Sequence, residues 1–321
     1  METLSVIVPV YNEEESIAIF YDALEKVHQQ LATYRFEYWF IDDGSTDRTI
    51  PEIQALQTKS DAVHYVKFSR NFGKEAGLYA GLQHATGEYV VVMDVDLQDP
   101  PELLPEMLTG VAAGEWDAIG TRRTNRDNEP KIRSWFSDLF YKLINRISDL
   151  NLVNGARDYR VMSRKMVDAI LEMTEYNRFS KGIFNWVGFR QKYLEFKHVE
   201  RVAGTTSWSF NRLVGYAIEG MVAFSQVPLT IISFLGVISF FASLLAGAFV
   251  VIRAIFNSGA AIDGWASLVV IILFMGGIQL LSLGIVGRYI SAIYLETKKR
   301  PIYIASEVKY AIGLTTHLNN Y

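Results

Sequence analysis

The chain has 321 residues, no cysteine and a formal net charge of −4, which excludes disulfides, thiolate metal sites and a broadly basic nucleic-acid surface. Its five histidines show no ligand spacing, so any metal must be held mainly by oxygen, as Mg²⁺ or Mn²⁺ would be rather than zinc. "METLSVIVPVYNEEES" has no basic stretch ahead of an apolar run and does not read as a signal peptide.

Taken in order, "LSVIVPV" (4–10) predicts a buried strand, and 14–31 carries helical periodicity. "EYWFIDD" (37–43) predicts a second strand, "AVHYVKF" (62–68) a third and "EYVVVMD" (88–94) a fourth, with helices between them and one from about residue 74 to 85. Strand, crossover and strand in repetition imply a mostly parallel sheet with helices on both faces. Ligands gather at the carboxyl ends of such strands. "YNEEE", "DDGSTD", "SRNFGKE" and "DVDLQD" all fall there.

Residues 131–150, "KIRSWFSDLFYKLINRISDL", put Ile132, Trp135, Phe136, Leu139, Phe140, Leu143, Ile144 and Ile147 on one helical face. The helix could pack on the sheet or lie in a membrane interface. "WSFNRLVGYAIEGMVAF" (208–224) reads as a second interfacial helix leading into the first span. Residues 220–252 and 264–287 are free of charge, and each is long enough to cross a hydrocarbon core of about 30 Å. Arg201 and Arg212 precede this pair and Lys298, Lys299 and Arg300 follow it, whereas the link 253–263 holds one basic residue. The positive-inside bias then puts both flanks in the cytoplasm. The expected division is a catalytic domain over 1–207, a juxtamembrane helix over 208–227, two spans within 228–295 (228–254 and 264–290) and a cytoplasmic tail over 296–321.

"VVVMDVDLQDPPE" (90–102) ends a strand in Asp94, Asp96 and Asp99, with Gln98 among them. Crowded carboxylates repel unless a cation lies between them. A divalent metal held by Asp94, Asp96 and Gln98 would relieve that repulsion and neutralise a diphosphate. A solvated turn is the bland reading of one such motif, and the three other polar clusters facing it argue for a site. Asp42 is placed to accept N–H donors from a nucleobase or to precede a helix cap. Pro9, Tyr11 and Glu13 could wall a base and ribose. Lys74, at a helix start, reads equally as an anion contact or as a solvated lysine.

Together "SVIVPVYNEEES", "IDDGSTD", "SRNFGKEAG", "MDVDLQDPPE", "GTRR" and "RDYRVMSR" resemble the inverting GT-A-fold glycosyltransferases that load sugars onto polyprenyl phosphates. The dolichyl-phosphate mannose synthases and the undecaprenyl-phosphate glucosyltransferases of the GtrB type are the nearest groups. The resemblance implies an α/β, GT-A-like, mostly parallel sheet with amphipathic interfacial helices and a C-terminal two-helix transmembrane hairpin. It implies metal and sugar-diphosphate binding at Asp94, Asp96 and Gln98, and nucleotide binding at Pro9, Tyr11, Glu13 and Asp42; Lys74, as the anion contact at its helix start, is grouped with the nucleotide site. It further implies lipid-phosphate contacts at Arg122 and Arg133 and a catalytic role for Asp158, proposed as a base, beside Asp94. One departure is Ser207 before Trp208, where many members show a lysine. Arg201 is the candidate to serve in its place, grouped with the lipid-phosphate arginines.

The expected reaction is therefore metal-dependent transfer of a hexose, best matched by UDP-glucose, to undecaprenyl phosphate at the inner (plasma) membrane, with the catalytic domain in the cytoplasm. A processive polysaccharide synthase is the runner-up, but the chain lacks a Gln-x-x-Arg-Trp motif and two helices cannot enclose a polymer channel. A non-catalytic scaffold for a lipid-sugar flippase is the third reading, and the paired carboxylates argue against it. Ser239, Ser243 and Gly247 on one span, and Gly276, Gly277, Gly284 and Gly287 on the other, allow close helix approach and predict a homo-oligomer, dimer or tetramer.

Overall fold

The computed structural model describes residues 1–124, 141–148, 150–197, 210–256 and 265–310. Strands β1 (Thr3–Val10), β2 (Arg35–Asp42), β3 (Val63–Phe68) and β4 (Tyr89–Val92) run parallel in the spatial order β4-β1-β2-β3. Their runs of branched and aromatic residues suit burial on both faces, as a parallel sheet requires. On one face Leu4, Val6 and Val8 meet Phe20 and Leu24 of α1 (Ile17–His28), Ile53 of α2 (Thr49–Gln57) and Met107 of α4 (Leu104–Ala112). On the other face Ile7, Trp39 and Val92 meet α3 (Lys74–His84), α5 (Arg164–Leu171) and α6 (Ser180–Trp186).

Helix α3 lies close to the sheet because it presents small residues there. A Cβ added to Gly81 would sit 2.1 Å from Ile7 Cγ2, so only glycine permits this approach.

The sheet continues through β5 (Ala118–Arg123), β6 (Ala156–Ser163), β7 (Gln191–Phe196) and β8 (Ala305–Lys309), giving eight strands in the order β7-β5-β6-β4-β1-β2-β3-β8. The architecture is α/β and GT-A-like. Its parallel half follows the expected alternation; β6 enters antiparallel to both β4 and β5, and β8 antiparallel to β3.

Helix α7 (Phe210–Phe224) leads into α8 (Val227–Phe256), followed by α9 (Trp265–Thr297). Both later helices are long and apolar enough to cross a membrane, over Val227–Val250 and Leu268–Thr297. Their large apolar side chains, Phe240, Leu245, Leu273 and Leu280 among them, are exposed. Residues 141–147 are helical, and Ile144 is buried with Leu150, Leu152 and Phe179 against Met221 and Phe224 of α7. That part of the expected amphipathic helix packs on protein; residues 125–140 and 149 lie outside the described residues.

Within the segment 296–321, expected to be a tail, residues 304–309 return to the sheet, and 311–321 lie outside the described residues. Ser69 N donates to Ile304 O at 2.9 Å, and β8 then covers the edge of β3. The hairpin is tied to the domain elsewhere too: Tyr289 Oη donates to Ser225 O at 2.7 Å, and Tyr176 N donates to the Glu296 carboxylate at 2.9 Å.

Candidate active site

The loops after β1 and β2 are stapled together. Asn12, with φ of 54°, accepts at Oδ1 from Thr46 N at 2.9 Å, while its own N–H donates to Ser45 Oγ at 2.9 Å. Glu13 N donates to Thr49 Oγ1 at 2.9 Å. Tyr11 between them is exposed, and Pro9 is half-buried at the end of β1. Asp42 is fully buried at the end of β2, its carboxylate accepting from Ser45 N at 3.1 and 3.3 Å. Burial pushes the Asp42 carboxyl up, partly offset by Ser45.

Asp43 was not singled out from the sequence, and it sets the start of α3. Its carboxylate accepts from Phe72 N at 2.6 Å and from Gly73 N at 2.9 Å. Gly73 has φ of 96°, a conformation that favours glycine, and the next residue is Lys74.

Val92 of β4 pairs with Arg160 of β6 in antiparallel register, and continuing that register brings Asp94 opposite Asp158. Lys74 reaches into the gap, with Nζ 2.7 Å from Asp94 Oδ1 and 2.7 Å from Asp158 Oδ2. Desolvation opposes the Lys74 charge, but Asp158 and Asp94 outweigh it and hold the ammonium well above its usual pKa. Desolvation likewise opposes the Asp158 charge. Lys74, with Lys181 contributing, holds that carboxyl well below the usual range.

A second cation closes the cluster. Arg157 Nε is 3.0 Å from Asp99 Oδ1, and another guanidinium nitrogen donates to Gln98 Oε1 at 3.4 Å and lies 3.9 Å from Asp94 Oδ2. Asp99 is 1% exposed, and burial pushes its carboxyl up to about 6 against the pull of Arg157. Leu97 has φ of 54°, a fold of the chain that returns Gln98 N to Asp96 Oδ1 at 3.2 Å. Beneath the cluster Arg160 is buried, its guanidinium carbon 4.0 Å from the Phe184 ring centre.

The fold thus brings Lys74, Asp94, Gln98 and Asp158 into one cluster, with Asp96 beside it. Arg122 stands on β5 and is ion-paired with Glu195 of β7. Arg133 and Arg201 lie outside the described residues. Arg157, Arg160 and Lys181 escaped sequence reasoning, although two of them flank Asp158 in "RDYR".

Among the described residues no group of three or more His, Asp or Glu side chains forms a metal cage. The donor chemistry still fits a hard divalent cation. Asp94, Asp96 and Gln98 offer only oxygen, and such a cation commonly takes one or two carboxylates and completes its shell with water and substrate phosphates.

The chain is 41% identical over 306 residues to the prophage bactoprenol glucosyl transferase homolog of Escherichia coli (strain K12), covering 95% of this chain and 99% of that one. It is 40% identical to the bactoprenol glucosyl transferase of Shigella phage SfX over the same shares. Among solved structures, the mannosyltransferase PcManGT from Pyrobaculum calidifontis, in complex with GDP-Man and Mn²⁺, aligns over 92% of this chain and 86% of that one, with 17% identity and a TM-score of 0.48. Residues 5–171 match the description Glycosyl transferase family 2, and with such relatives along nearly its whole length the chain belongs to that family.

Proposed function

We propose that the protein transfers glucose from UDP-glucose to undecaprenyl phosphate, with inversion, on the cytoplasmic side of the plasma (inner) membrane. The observation that carries this reading is the 41% identity to a bactoprenol glucosyl transferase homolog across 95% of the chain, both long apolar helices included. The geometry is consistent with it. A basic and acidic cluster sits at the strand ends of a domain from which α7 leads directly into the first of those helices.

The acceptor explains the character of the cluster. A phosphate monoester has a second pKa of about 6, so at neutral pH its oxygen is already largely a nucleophile. It needs its charges held and aimed rather than a proton removed. Asp158 is suited to that: paired with Lys74 and held ionised, it positions an ammonium and makes a poor base. Arg157 and Lys181 add positive charge around it, and Arg122 on β5, with Arg133 and Arg201, is assigned to the lipid phosphate. Pro9, Tyr11, Glu13 and Asp42 are assigned to the nucleotide. Asp94, Asp96 and Gln98 would hold Mg²⁺ or Mn²⁺, which when bound neutralises charge on the leaving diphosphate. Direct displacement of that diphosphate inverts the anomeric carbon and leaves a β-linked lipid phosphate.

The homo-oligomer belongs to the same proposal. Among the described residues, an added Cβ at Gly247, Gly276, Gly277 or Gly284 meets nothing within 4 Å, so packing of α8 against α9 leaves these faces available.

The test is incubation of membranes with labelled UDP- and GDP-sugars and undecaprenyl phosphate, with identification of the lipid product. Glucosylated lipid from UDP-glucose, lost in Asp96→Asn and with a raised KM for the lipid in Arg122→Ala, is the expected result. Transfer from another donor would sink the glucose assignment. No lipid product from any donor would sink the acceptor.

A further inference from the structure

Both carboxylate oxygens of Asp94 face cations that belong to the chain itself. Oδ1 is 2.7 Å from Lys74 Nζ, and Oδ2 is 3.9 Å from the Arg157 guanidinium. Asp94 is also assigned to the divalent metal in the proposed function, and the role inferred for Lys74 rests on that assignment. A carboxylate cannot give the same oxygen fully to an ammonium and to a metal ion, and the two cations repel at such a distance.

We propose that Lys74 is an internal counter-ion that occupies Asp94 in the donor-free enzyme, so that a divalent cation binds poorly alone and firmly only together with a nucleotide diphosphate. The diphosphate brings negative charge that both ligates the metal and offers the released ammonium a new partner. Three features suit Lys74 to this exchange. Asp158 Oδ2, also 2.7 Å from Nζ, keeps hold of the ammonium when Asp94 lets go. The Lys74 backbone is fixed, because Asp43 grips the N–H groups of Phe72 and Gly73 just ahead of it, so only the side chain has to move. About a third of that side chain is exposed, leaving room for the movement.

The same arrangement gives Asp158 its reason to lie opposite Asp94. It is the resting place of the displaced charge. Lys74 is then a positioning residue that makes metal and nucleotide arrive together, which keeps the site from loading metal without a donor. A merely structural Lys74–Asp94 pair would stay in place when the donor binds and would weaken metal binding equally with and without nucleotide, so that Lys74→Met would leave the ratio of the two affinities unchanged instead of narrowing it.

Mn²⁺ binding by the full chain in detergent, monitored through loss of the free-ion paramagnetic resonance signal, decides the matter. Titrations are run with and without UDP, with protein-free Mn²⁺–UDP subtracted, on the wild type, Lys74→Met, Lys74→Arg and Asp96→Asn. The wild type should bind Mn²⁺ at least about tenfold more tightly with UDP than without it. Lys74→Met should bind Mn²⁺ without UDP at least about tenfold more tightly than the wild type, a screened fraction of what one adjacent unit charge can do. Lys74→Arg, which keeps the charge, should behave like the wild type. A wild type that binds Mn²⁺ equally with and without UDP overturns the proposal, as does a folded Lys74→Met that gains nothing. If Lys74→Met does not fold, Lys74→Gln, which also removes the charge, takes its place in the same titrations. Asp96→Asn that binds Mn²⁺ with UDP as the wild type does would instead remove the metal assignment on which the proposal stands, and the proposal with it.

Discussion

Arg157 Nε lies 3.0 Å from Asp99 Oδ1, and Asp99 is 1% exposed whereas the Arg157 side chain keeps 29% of its surface in solvent. The second oxygen of Asp99 has no hydrogen-bond partner among the described residues, so its charge is held chiefly by this guanidinium, with Lys74 a lesser contributor. Arg157→Ala should therefore destabilise the protein by about 3 kcal/mol, the low end for breaking a buried pair, because a buried carboxylate is left without its main partner. Asp99→Ala combined with Arg157→Ala should recover part of the loss. Thermal unfolding in detergent checks both; equal destabilisation by the single and double variants would disprove the dependence.

Glu75, one residue beyond Lys74, accepts from Ser180 N at 2.9 Å and from the Ser180 hydroxyl, which ties the first turn of α3 to the start of α6. Helix α6 in turn packs under α7 through Phe179 and Phe224. Glu75→Ala should lower turnover by about tenfold or more with little change in the KM for the sugar donor, since small displacements of positioned groups cost rate rather than ground-state binding. Steady-state kinetics on purified protein would show it, and unchanged turnover would mean that the strut is idle.

Gly81 faces Ile7 across the α3–sheet contact, where an added Cβ would stand 2.1 Å from Ile7 Cγ2. Gly81→Ala should cost about 1–3 kcal/mol by overpacking. Adding Ile7→Ala should restore much of it. Melting temperatures of the single and double variants measure the coupling.

His64 and His84 flank Trp39, with ring-centre distances of 4.8 and 5.0 Å. Burial holds both imidazoles below the usual value of 6.5, against the pull of Glu37. The unfolded chain takes up protons below about 6.5 that the folded histidines refuse, so their stabilising effect is complete above that pH and declines as pH falls. Asp99 works in the opposite direction below about 6, because its folded carboxyl binds a proton sooner than the unfolded one. The readout is thus the difference between the wild type and His64→Gln/His84→Gln. That difference should shrink as pH is lowered from 7 to 5; a difference independent of pH would refute the assignment.

The parallel half of the sheet was legible because β1 to β4 are continuous runs of buried branched and aromatic residues, and the hairpin because its uncharged runs are so long. β5 to β8 were not. "GTRR", "RDYR" and "SEVK" carry charges that mask the period of a strand, and β8 lies far along the chain from β3, which it pairs. At the site, Asp94 and Asp158 could be named from their motifs. Their direct opposition across β4 and β6, and Lys74 between them, depends on an antiparallel pairing that no local pattern encodes. Arg157 was hidden by its neighbour: in "RDYR" the aspartate stands out, while the arginine beside it closes the cluster.

Because β8 comes after α9 in sequence yet lies in the same sheet as β1, the sheet domain is interrupted by the two long apolar helices rather than completed ahead of them. A chain cut before Val227, the obvious way to make a soluble fragment, would lose β8 with the hairpin. It would leave the backbone of β3 unpaired along its outer side, an invitation to edge-to-edge aggregation. Insolubility of such a fragment would then say nothing about lipid. Supplying residues 298–310 through a short flexible linker after Phe224 should yield a better-behaved domain than simple truncation does.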